Sequence, residues 1–76
     1  MKNLHKLQSL KQTIQYMIDS NATIEFRYIY SSSEKIRICQ PIGFKLGKND
    51  ILLLCIEESS QKTKYFRLSG IKFETN

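Results

Sequence analysis

The 76-residue chain has one histidine, one proline, three glycines, two cysteines and no tryptophan. Each scarcity narrows what it can do. His5 is the only imidazole, and as a general base it would need a positioned partner that the sequence does not supply; it reads as a solvated surface side chain. Glu57 and Glu58 are adjacent, and neighbours on a strand point to opposite faces, so they end a strand rather than form an acid–base pair. Gly43, Gly47 and Gly70 have neither the spacing nor the following helix of a phosphate-cradling loop. Cys39 and Cys55 each sit in an apolar run with no second Cys or His nearby, which removes a metal site. They read as small buried hydrophobes in a reducing compartment, with one disulfide between neighbouring strands as the other reading. Long apolar runs are also missing. Ile51 to Ile56 is the longest, far short of a membrane span, and Lys2, Lys6 and Lys11 interrupt the N-terminal stretch where a signal sequence would be apolar. We therefore expect a cytoplasmic, non-enzymatic chain with no cofactor, metal or membrane partner.

What is present suits one small domain over 1–76. The apolar share is 41%, enough for a modest core, and four Phe and four Tyr supply its bulk. Twelve Lys and Arg against seven Asp and Glu leave a net charge of +5. On so small a surface that favours acidic partners such as nucleic acid or nucleotides, although dispersed cations also serve solubility.

Leu4, Leu7, Leu10, Ile14, Met17 and Ile18 recur at steps of three and four, predicting an amphipathic helix over about 4–18. Asn3 or Ser9 would cap its start, and Asp19-Ser20-Asn21 would end it. The pattern then switches to a period of two. Strands are expected at about 23–30, 35–40, 42–46, 51–57 and 63–68, with a short closing segment at 71–74. Pro41 suggests a bend or an edge between the second and third, and Ser31-Ser32-Ser33-Glu34 a loop. Ile51 to Ile56 is apolar on both faces, as for a strand covered by the barrel on one side and by the helix on the other. The fold class expected is mainly β with one N-terminal helix: a five-stranded, bent antiparallel sheet of the SH3-like or Sm-like small-barrel kind. An open strand edge and a marginal core also favour a homodimer.

Several cations have aromatic neighbours. Arg27 lies between Phe26 and Tyr28, Arg67 follows Tyr65 and Phe66, and Arg37 stands within a strand. Small barrels hold single-stranded nucleic acid by stacking bases on aromatic rings while Arg and Lys track phosphates.

Tyr28, Arg37 and Pro41, followed by Lys64-Tyr65-Phe66-Arg67-Leu68-Ser69-Gly70-Ile71, fall in an order and spacing that resembles the WYL domain of bacterial regulators, over about residues 10–73. The sequence departs from that pattern in three places. Asp50-Ile51-Leu52 stands where the naming triplet would be, Gly70 replaces an arginine, and Lys64 replaces another. The resemblance implies a regulatory or sensory binding module whose ligand is nucleic acid or a nucleotide-like anion. It also implies a free-standing module, since one helix is not the winged-helix domain usually found beside this family. The site it suggests comprises Tyr28, Arg37, Lys64 and Arg67, with Arg27 at its rim; Arg37 and Arg67 would form a cationic clamp if both reached one face. WYL-like proteins also act as accessories of larger machines, which makes a protein-interaction module working through self-association the alternative.

Overall fold

The computed structural model describes residues 2–32 and 35–73, with the backbone alone for residues 2–5. The expectations placed on the side chains of Asn3, Leu4 and His5, and on Ser33, Glu34 and Glu74, fall outside the described residues.

Helix α1 runs Lys2–Asp19, so it starts earlier than its apolar stripe and Asn3 lies within it. Leu7 and Ile14 are buried, with Leu10, Met17 and Ile18 packed beside them. The helix stops as its polar triplet predicts. Asn21 takes the left-handed conformation at φ 56°, its N–H reaches the Ile18 carbonyl at 3.1 Å, and that of Ala22 reaches Met17 at 3.0 Å. These two bonds close the last turn in the Schellman manner, with asparagine at the position that most often holds glycine.

Five antiparallel strands follow: β1 Ile24–Tyr28, β2 Arg37–Leu46, β3 Ile51–Glu57, β4 Lys62–Arg67 and β5 Ile71–Phe73. They form one sheet in the order β4-β3-β2-β1-β5, and a 3-10 turn at Leu68–Gly70 joins its two edges. The expected strands at 35–40 and 42–46 are one strand, and the closing segment supplies the fifth. Pro41 does not break β2. The register shifts between Pro41 and Gly43, so the residue that has no N–H to donate sits at an irregularity where ladder pairing is already interrupted. The bulge also changes which residues face inward: Cys39 and Pro41 before it, Phe44 after it.

The core gathers Ile24, Phe26, Cys39, Ile51, Leu53, Cys55, Phe66 and Leu68 beneath the helix. Phe26 and Phe66 meet edge to face with ring centres 5.1 Å apart. The helix lies against β2 and the 3-10 turn on this same side. The expectation that it would cover the second face of β3 is therefore corrected. Leu52, Leu54 and Ile56 point away from the core and stay half-exposed. Both cysteines are buried and free. A hydrogen bond to Cys39, added to burial, pushes the Cys55 thiol well above its usual range. Among the described residues no helix is long and apolar enough to cross a membrane.

Candidate functional site

Alternation along β3 puts Glu57 in phase with Ile51, Leu53 and Cys55, so its carboxylate points to the core side. A buried carboxylate needs charged partners, and two adjacent strands provide them. Arg37 donates from a terminal guanidinium nitrogen to Oε2 at 2.9 Å, and the Lys64 ammonium meets Oε1 at 2.8 Å. Ser60 donates to Oε1 at 3.4 Å, and Arg37 spends its second terminal nitrogen on Ser31 at 3.1 Å. The Lys64 hydrogen bond, then that of Arg37, lowers the Glu57 carboxyl from 4.5 to about 2 against the opposing effect of burial. The Arg37 side chain is only 12% exposed and that of Lys64 is 42% exposed. The hollow beside Arg37, about 190 Å³, is walled by both Glu57 and Glu58. Lys35 also lines it, but an anion that reached Arg37 there would meet two carboxylates and would have to displace the buried one.

Tyr28 and Arg67 come together at a different place. The sheet curls until the Tyr28 hydroxyl accepts the Arg67 backbone N–H at 3.0 Å, linking β1 to β4. The Tyr28 ring meets Phe66 at 4.9 Å and Tyr30 at 5.6 Å, both edge to face. The Arg67 guanidinium lies over Tyr30 at 5.4 Å from the ring centre, while that of Arg37 lies over Phe66 at 5.7 Å. The two guanidinium groups thus stand at opposite ends of a row of rings, Phe66–Tyr28–Tyr30. By register Arg37, opposite Phe26, is on the core face, and Arg67, opposite Leu52, is on the outer face. The expected Arg37–Arg67 clamp is not formed, because strand alternation separates them. Arg27 also faces outward, opposite Lys72 on β5.

Residues outside the expected set hold the Arg67 end in place. Asp50 accepts the backbone N–H of Ile51 at 2.8 Å, and its other oxygen accepts the Ser69 hydroxyl at 2.5 Å. With its proton so committed, the Ser69 hydroxyl receives that of Tyr30 at 2.9 Å. Gly70 is required here: a Cβ on it would lie 2.5 Å from the Tyr30 ring and 2.8 Å from Tyr28. The two tyrosines occupy the space that a side chain at this position would need. Tyr30, Lys48, Asn49, Asp50, Leu52 and Arg67 border an open cleft of about 580 Å³.

The outer face carries a second cation–aromatic pair, Lys45 over Tyr65 at 5.7 Å. Neither Lys45 nor Tyr30 belongs to the expected site: Lys45 lies past the bulge, and Tyr30, expected in phase with Tyr28 at the end of the first strand, lies in the turn that follows β1. Glu57 could have been found from its phase with Leu53 and Cys55. Among the described residues no cluster of three or more His, Cys, Asp or Glu is placed to hold a metal.

No protein-family model, curated protein or solved structure matches the chain.

Proposed function

We propose that the chain is a non-enzymatic regulatory or sensory module that binds nucleic acid or a nucleotide-like anion through the Arg67 end of the sheet. The observation that carries this reading is Arg67 itself. It is exposed, its guanidinium lies over the exposed ring of Tyr30, and it borders the cleft with Lys48. An anchored planar cation beside an aromatic face suits a phosphate with a base attached. Arg37 and Lys64 serve this site indirectly, by tying β2, β3 and β4 together through Glu57. The WYL resemblance supports the same class of ligand. A binding screen of single-stranded DNA, RNA and mononucleotides at low and high salt tests it: affinity should fall steeply as salt rises.

A second reading, an accessory module that works through protein contacts and self-association, is favoured by the uncovered stripe of Leu52, Leu54 and Ile56. Sedimentation at concentrations on the order of tens of micromolar would reveal a dimer under this reading and a monomer otherwise.

A further inference from the structure

The pairing of β2, β3 and β4 arranges the outer face in cross-strand rows. Tyr65 lies opposite Leu54, and Leu54 opposite Gly43. Two residues along each strand, Arg67 lies opposite Leu52, and Leu52 opposite Lys45. One row is thus an aromatic ring, an aliphatic side chain and a bare backbone. The next is an aliphatic side chain flanked by two cations, about 7 Å away at the usual rise of a strand. On the other side of the aromatic row, Thr63, Ile56 and Gln40 add no charge.

We infer that Tyr65, Leu54 and Gly43 form a stacking platform for an unpaired base of single-stranded nucleic acid, with Lys45 and Arg67 taking the adjoining phosphate. This rests on the binding reading above and names where the base goes. Tyr65 is 52% exposed on the edge strand β4, and a Cβ built on Gly43 meets nothing within 4 Å. The far end of the platform, across Leu54 from the ring, is therefore open. Base stacking needs a flat apolar surface, and it tolerates any sequence because every base has a π-face. Charge selects the occupant. Of the two rows that flank the platform only one carries cations, Lys45 and Arg67, which matches a base with its phosphate on that side. In the free protein the Lys45 ammonium covers the Tyr65 ring. Its flexible stem lets an arriving base replace it and carries the charge to the phosphate.

The test compares a fluorescein-labelled oligo-dT of about 12 nucleotides, within the usual range for small barrels, with an abasic oligomer of equal length. Both have the same charge, and only one has bases. In anisotropy titrations Tyr65→Ala should lower the preference for oligo-dT over the abasic oligomer about ten-fold, and Tyr65→Phe should keep it. Gly43→Leu fills open space at a residue whose φ is not positive. It should fold like the parent and lose the same preference. If oligo-dT binds and neither Tyr65→Ala nor Gly43→Leu changes the preference, the platform is wrong and the binding reading stands. If the parent binds neither oligomer at any salt, the binding reading itself fails. If the two variants instead abolish a dimer in sedimentation and leave the preference intact, the face belongs to a second copy and the inference is overturned.

Discussion

Glu57 and Arg37 meet at 2.9 Å with both side chains almost withdrawn from water, their exposures being 5% and 12%. A carboxylate so placed keeps its charge only because Lys64 and Arg37 face it together. Removing it leaves Arg37 buried and uncompensated, so Glu57→Gln should cost about 3–5 kcal/mol at neutral pH in urea denaturation. A loss below about 1 kcal/mol would show that the triad does not tie the strands.

The same group sets an acid response. Its folded pKa, about 2, lies below the ordinary carboxylate value of 4.5. Its contribution is therefore complete above about pH 4.5 and fades as pH falls through about 2. Denaturation midpoints of the parent and Glu57→Gln should converge across that window. Parallel pH profiles would contradict the assignment.

The central strand gives a simpler expectation. Leu53 is fully buried on β3 between β2 and β4, and Leu53→Ala should cost about 2–5 kcal/mol on chemical denaturation. A change near zero would mean that β3 is not the middle of the core.

Gly70→Ala puts a methyl group into the Tyr28 and Tyr30 rings. Tyr28 is held between Phe66 and the Arg67 N–H and has little room to yield. Overpacking of this kind costs about 1–3 kcal/mol, and it should also weaken anion binding by moving Tyr30 off Arg67. Unaltered stability with unaltered binding would remove Tyr30 from the site.

How far the sequence reveals this molecule depends on which interactions are local. Alternation in Ile24–Tyr28 and Ile51–Glu57, and the three-four spacing of Leu7, Leu10, Ile14 and Met17, are local properties, and the helix and sheet follow from them. Pro41 misleads because its missing N–H argues for a strand end, and only the pairing with β3 provides the bulge that accommodates it. The second face of β3 misleads for a related reason: an apolar run does not say what covers it. The site follows the same division. Tyr28, Arg37, Lys64 and Arg67 are conspicuous as polar or aromatic residues within strands. Whether two of them share a face depends on parity along their own strands, and parity sends Arg37 inward to Glu57 and Arg67 outward to Tyr30. Tyr30, Ser69 and Asp50 meet only because three separate turns converge.

The most direct test of the binding account is the salt dependence of single-stranded DNA affinity in the parent and in Arg67→Ala. Loss of one phosphate contact should weaken binding about ten-fold at low salt and reduce the slope of log affinity against log salt by about one, with Arg67→Lys restoring only part of the affinity because it lacks the planar fork. Equal affinity and equal slope in the parent and Arg67→Ala would contradict the account and leave the protein-contact reading in its place.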